Sequence, residues 1–187
     1  GGNYNVVVGD NAGAAITTGD NNVAVGYGAL DAEDTGTNSV AIGYNALSTQ
    51  NNDVANYNVA VGSSAGAAVT LGIRNTYIGA LAGDGTTEGS NNVAVGFDAL
   101  SSNVLGSKSV AVGQDALTTA NPASATDMYN TAVGFQAGVQ VTTGTLNTLI
   151  GGLAGDAITS GYLNDALGYS ALSANQAGRN AVAIGSF

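Results

Sequence analysis

One glycine recurs along this chain at intervals that leave little choice of fold. It stands at Gly9, Gly26, Gly43, Gly62, Gly79, Gly96, Gly113, Gly134, Gly151, Gly168 and Gly185; eight of the ten intervals are 17 residues, and the other two are 19 and 21. A fixed period of this length is the sequence signature of a stacked repeat architecture. Other columns lock to the same anchor. Ala follows it by three in every complete unit, from Ala12 to Ala171, and Val, Ile or Leu always precedes it. Four before it stands a polar column of Asn5, Asn22, Ser39, Asn58, Asn75, Asn92, Ser109, Asn130, Asn147 and Asn164. A second glycine follows by ten in eight units and loses register only in the two long ones, so the insertions lie in the second half of the repeat. The one proline, Pro122, falls in the longer insertion, where no ladder hydrogen bond is required.

The segment Asn22-Val23-Ala24-Val25-Gly26 reads as a short strand, with β-branched residues at period two between Asn and Gly. Two glycines per unit and no apolar period of 3.6 argue against helix. Each unit therefore predicts one coil: a strand, a corner at the anchor, a shorter extended run and a Gly turn. Ordering 17 residues costs on the order of 25 kcal/mol. Two or three inward aliphatics return only about 1.5–3 kcal/mol each. Stacking has to supply the rest. The expected fold class is an all-β parallel solenoid of about 10–11 coils, rising about 4.8 Å per coil into a rod about 50 Å long. It forms a single repeat domain over residues 1–187. Both ends of the sequence lie inside a repeat, which suggests a segment of a longer fibrous protein.

A longer period overlies the first. Four after the anchor the chain reads Gly, Leu, Leu, Gly, Gly, Leu, Leu, Gly, Gly, Leu, and the stretch Asn75 to Asp84 returns as Asn147 to Asp156. Duplication of a four-unit block explains this. Where that position is Leu (Leu30, Leu47, Leu100, Leu117, Leu172), the residue three further on is small or polar; where it is Gly, the residue is usually aliphatic (Ile16, Val69, Val141, Ile158). One interior slot filled from either of two positions is volume conservation in a packed core.

In Val-Ala-Val the two valines share one face and the alanine the other. The middle position carries Val7, Ala24, Ala41, Ala60, Tyr77, Ala94, Ala111, Ala132, Leu149, Ala166 and Ala183, all apolar. Read as the outward face, this column predicts an apolar seam from Ala24 to Ala183 that another copy of the chain should cover.

The formal net charge is −10, and the only cations are Arg74, Lys108 and Arg179. That excludes a nucleic-acid or heparin binder, which needs clustered Lys and Arg. There is no Cys, hence no disulfide frame or thiolate chemistry. No apolar run reaches the roughly 18 residues of a membrane span.

The units Ser39-Val40-Ala41-Ile42-Gly43-Tyr44-Asn45-Ala46 and Asn180-Ala181-Val182-Ala183-Ile184-Gly185 resemble the Ser-Val-Ala-Ile-Gly-x-x-Ala repeats of the YadA-like heads of trimeric autotransporter adhesins. The repeat length and the Ala-Leu ending are also similar to repetitive regions of phage tail-fibre and marine bacterial surface proteins. The resemblance covers essentially the whole chain, although the repeat is longer than the usual head repeat. It implies a left-handed parallel β-roll, a homotrimer about one axis, and a role in attachment to a host receptor, matrix or glycan. It also implies an extracellular place, on a cell surface through domains outside this segment or in a virion fibre.

No residue pattern calls for catalysis, and no cofactor or metal site is expected. Asp31, Glu33 and Asp34 could pair as glycosidase carboxylates, but a solvated loop explains them. Asp84 and Asp156 recur in turns without the Gly-Gly-x-Gly-x-Asp calcium pattern. The Asn/Ser column is expected to form a ladder along the axis. Tyr27, Tyr44, Phe97, Phe135 and Tyr169 follow the anchor glycine and are expected to be buried at a corner or in an inter-chain groove, the alternative being a carbohydrate-contacting stripe. Threonines near the Gly turn (Thr17, Thr142) raise an ice-binding face, but Asp34, Asn51 and Val104 interrupt that column. The expected function is a rigid structural or adhesive rod. The alternative is an ice- or glycan-binding solenoid acting through one flat face.

Overall fold

The computed structural model describes residues 2–186. Among these residues there is no helix. Eleven three-residue strands, from Val6–Val8 to Val182–Ile184, form one parallel sheet. Each strand pairs with its equivalent in the coils before and after, column on column: Val25 pairs with Ile42, Ile42 with Val61, and Val95 with Val112. The chain is thus a parallel β-solenoid with one coil per anchor glycine. Gly106–Ser107 and Thr126–Asp127 make a second, two-stranded ladder beside the longer insertion.

The anchor glycines explain why the strands stop after three residues. Their φ angles run from 119° at Gly185 to 143° at Gly62, a region closed to L-residues. A Cβ at Gly96 would also stand 2.6 Å from the carbonyl carbon and oxygen of Gly113 in the next coil. Both backbone geometry and coil spacing therefore demand glycine at this corner. The coil tightens further by placing ordinary residues in the left-handed region, among them Leu30 (φ 53°), Leu47 (48°), Leu100 (56°) and Leu117 (50°). That conformation costs roughly 1–2 kcal/mol per residue. Burying each leucine side chain completely returns about 1.5–3 kcal/mol.

The alanine column lies inside the coil. Ala24, Ala41, Ala60, Tyr77, Ala94, Ala111, Ala132 and Leu149 have no exposed surface in the single chain, Ala166 almost none, and Ala183 is half-buried at the end of the stack. The expected inter-chain seam at these residues is therefore corrected: they are the core of each coil. The flanking Val and Ile point outward. A coil of 17 residues is too thin to hold a large side chain at every inward position, so the strand turns its smallest residue in.

The interior slot is shared among three positions rather than two. After Val7 in the first coil, Tyr77 and Leu149 are the large side chains in an otherwise Ala column, four coils apart. Each lies where two successive coils have Gly instead of Leu. A Cβ on Gly83 would run into the Tyr77 ring, and one on Gly66 would stand 2.8 Å from it. Gly138 and Gly155 make the same space for Leu149. The four-coil superperiod is thus the rhythm with which one bulky residue replaces two leucines.

Candidate functional site

Among the described residues no group of three or more His, Cys, Asp or Glu side chains could hold a metal, and no helix is long and apolar enough to cross a membrane. The informative features are a polar spine inside the coil and two columns of side chains outside it.

The spine is built from the Asn column, and its bonds run mainly from amide to backbone. Asn75 Oδ1 accepts the Asn92 N–H of the next coil (2.9 Å), and Asn75 Nδ2 donates to the Gly89 carbonyl across the Gly turn (2.9 Å). Asn22, Asn92, Asn147 and Asn164 repeat both bonds with the Ser or Asn or Ala that follows them and with Gly36, Gly106, Gly161 and Gly178. Asn5, Asn58 and Asn130 do likewise with Gly19, Gly72 and Gly144. Each Asn therefore staples the strand entrance to the turn of its own coil and to the backbone of the next. Ser39 and Ser109 occupy the column but are too short to continue it. Ser39 Oγ instead accepts a bond from Gln50 Nε2 (2.9 Å), and the buried Ser109 Oγ has no partner among the described residues.

Glu33 belongs to this interior and not to a solvated loop, which corrects the expectation for that cluster. It has no exposed surface. Its carboxylate accepts bonds from Gly36 N–H (2.8 Å), Gln50 Nε2 (2.8 Å) and Asn56 Nδ2 (3.0 Å). Desolvation lifts its pKa above the ordinary carboxylate value, repulsion from Asp34 adds to that, and the hydrogen bonds oppose it. The group lies beside the first insertion, whose Asn56 reaches it. With three donors already on the carboxylate and no second buried acid beside it, it is a structural network rather than an acid–base pair.

The first outward column stands immediately before the anchor: Val8, Val25, Ile42, Val61, Ile78, Val95, Val112, Val133, Ile150, Leu167 and Ile184. It is aliphatic in all eleven coils and every member is half-buried or exposed. Three before the anchor a parallel column is mostly Val, from Val6 to Val182, and is interrupted by polar residues at Thr76, Thr131, Thr148 and Asp165. Together they make a largely apolar strip about 50 Å long on the outside of the sheet, on the order of several hundred Å². Near its C-terminal end, Ile150, Leu167, Val182 and Ile184 line an open apolar groove of about 250 Å³.

The second outward column follows the anchor. Tyr27, Tyr44, Phe97, Phe135 and Tyr169 are between 49% and 58% exposed, so the single chain does not bury them at its corner. Tyr27 and Tyr44, in adjacent coils, stack at 5.6 Å with their planes 12° apart. The threonines of the Gly turn are differently placed: Thr17, Thr70, Thr87, Thr142 and Thr159 direct their hydroxyl protons at carbonyls of the next coil.

No protein-family model, curated protein or solved structure matches this chain.

Proposed function

We propose that the chain is a structural and adhesive rod, a stretch of a surface adhesin or viral fibre in which three copies pack about one axis through the aliphatic column of their sheets. The observation that carries this reading is the unbroken row of Val, Ile and Leu from Val8 to Ile184 on the outside of the sheet. Isolated apolar residues on a surface need no explanation, but a contiguous strip of this length does. Its period equals that of the solenoid, so a sister chain aligned with it offers the same row at the same spacing. The column nearest the anchor stays aliphatic throughout and suits the centre of such a contact. The neighbouring column, with Thr131, Thr148 and Asp165, suits its margin.

The resemblance to YadA-like head repeats supports the same assembly and an extracellular or virion location. Ladder hydrogen bonds and the Asn spine would make the rod stiff without disulfides. With the turn threonines committing their protons to the next coil, an ice-binding face draws no support from that column.

Light scattering or sedimentation equilibrium tests the assembly. The chain mass is 18.1 kDa, so the expected species is three times that, about 54 kDa, stable on dilution. A chain that stays monomeric at micromolar concentration, with its aliphatic strip open to water, would overturn the reading.

A further inference from the structure

We propose that the solenoid carries a glycan platform along its axis, a comb of Phe97, Phe135 and Tyr169 that binds an extended, uncharged chain of equatorially linked pyranoses. The inference deepens the attachment role proposed above by naming a ligand class, and it rests on a different set of residues from the assembly strip. The three aromatics occupy alternate coils in one column, with Gln114 and Gly152 between them. The column stays in register beyond the strand. Asp115 N–H donates to the Phe97 carbonyl (3.0 Å), Gln136 to Gln114 (2.9 Å), Leu153 to Phe135 (2.9 Å) and Ser170 to Gly152 (2.9 Å). Successive rings are therefore anchored two strand spacings apart, about 9.6 Å. They are 50%, 50% and 58% exposed.

That spacing selects the ligand. In an extended, equatorially linked chain each sugar advances by about one strand spacing and is turned over relative to the last. Every second sugar thus offers the same C–H face, close to the interval at which the backbone anchors these rings. Gly152 leaves the interval between Phe135 and Tyr169 open, with the Tyr169 ring 3.5 Å from where a Cβ would stand, whereas Gln114 places an exposed amide in the interval between Phe97 and Phe135. Beside the middle ring, Gln114 Nε2 and Gln136 Nε2 both donate to Asp115 Oδ2 (3.3 and 3.2 Å). Two amides tied to one carboxylate supply fixed hydrogen-bonding groups for sugar hydroxyls, the combination of apolar surface and few polar groups typical of ligand sites. Half-buried Asp98 and Asp115, and the chain's net charge of −10, turn the platform against anionic glycans. Tyr27 and Tyr44 differ: they lie in adjacent coils and stack on each other.

Calorimetric titration of the chain with a β-1,4-linked glucose hexamer and a β-1,4-linked N-acetylglucosamine hexamer tests this, with an α-1,4-linked glucose hexamer as the curved control. At least one straight hexamer is expected to bind and the curved one not. Phe135→Ala should weaken binding about tenfold, the size of one lost aromatic contact. Phe135→Trp should keep it, and Tyr27→Ala should leave it unchanged. No binding of either straight hexamer overturns the proposal, and so does undiminished binding by Phe135→Ala. A fall in assembled mass with Phe135→Ala, measured on the same samples, also overturns it, because the comb then belongs to the contact between copies. A trimer that ignores both sugars sinks this inference alone; a monomer that binds one sinks only the assembly.

Discussion

Glu33 holds its carboxyl in the core, where three N–H groups converge on it and no cation does among the described residues. Because burial raises its pKa, the folded chain keeps this proton more tightly than the unfolded one. The contribution to stability is complete below the ordinary value of 4.5 and is lost as pH rises through the elevated folded value. Relative to Glu33→Gln, the wild-type chain should gain stability as pH falls from neutrality toward the ordinary carboxylate value of 4.5. Repulsion among the other acids is common to both proteins and cancels in the difference. Denaturant midpoints across that window check it, and a difference independent of pH would remove Glu33 as the cause. Tyr77 makes a second case. Its ring fills the slot that Gly66 and Gly83 leave empty, and its hydroxyl is buried without a partner of good geometry. Tyr77→Leu places in the slot the residue found at Leu149, with Thr86 in place of Ile158 beside it, and should cost less than Tyr77→Ala. Tyr77→Ala should cost about 3–5 kcal/mol through the cavity it leaves. Gly83→Ala should be about 1–3 kcal/mol worse in the wild type than in the Tyr77→Ala background, because the three atoms nearest the added methyl all belong to the tyrosine ring. Additive losses in that double-mutant cycle would show that the two residues do not share the space.

At the scale of the coil, the Asn spine links strand entrance to Gly turn and each coil to the next. Asn75→Ala leaves the Asn92 N–H and the Gly89 carbonyl buried and unpaired, each costing about 1–3 kcal/mol. Asn75→Ser, which copies the column at Ser39 and Ser109, should fall between the alanine variant and the wild type. An alanine variant within about 0.5 kcal/mol of the wild type by chemical denaturation would mean that water replaces these bonds. The coil itself was legible in the sequence, since a repeated glycine with a fixed strand before it admits little else, and the eleven parallel strands stand where the anchors put them. The direction of the strand's faces was not. Period-two alternation separates two faces without saying which is inside, and when both are apolar the usual polar signal is missing. Two residues held the answer. After Val7 in the first coil, Tyr77 and Leu149 alone interrupt the alanine column, and both stand beside paired glycines four after the anchor, a compensation that makes sense if that column shares the core. Glu33 misled for a related reason: its neighbours Asp31 and Asp34 look like a solvated loop, whereas its place in the slot-filling column makes it interior. Leucines in the left-handed region left no trace in composition, because tertiary burial overrides backbone preference there.

For the whole molecule, the inside and outside columns respond differently to substitution, and this separates folding from assembly. Ala94 is fully buried in its coil, while its neighbour Val95 is half-buried on the strip. Ala94→Val adds two methyl groups to a filled core and should destabilise the single chain by about 1–3 kcal/mol. Val95→Asp leaves the coil interior untouched, since its carboxylate points to water in a lone chain. In a three-chain assembly, symmetry would bring three such carboxylates together at the contact and bury charge without a partner. The expected result is a chain that keeps its β circular dichroism but sediments near 18.1 kDa, while Ala94→Val keeps the assembled mass until it unfolds. A second aspartate nearer the end of the rod grades the effect. Leu167→Asp, close to Asp165 on the neighbouring column, should weaken assembly less than Val95→Asp at the middle of the strip, because unpaired charge near the open end retains more water. If Val95→Asp leaves the assembled mass unchanged, the aliphatic strip is not where the copies meet, however apolar it is.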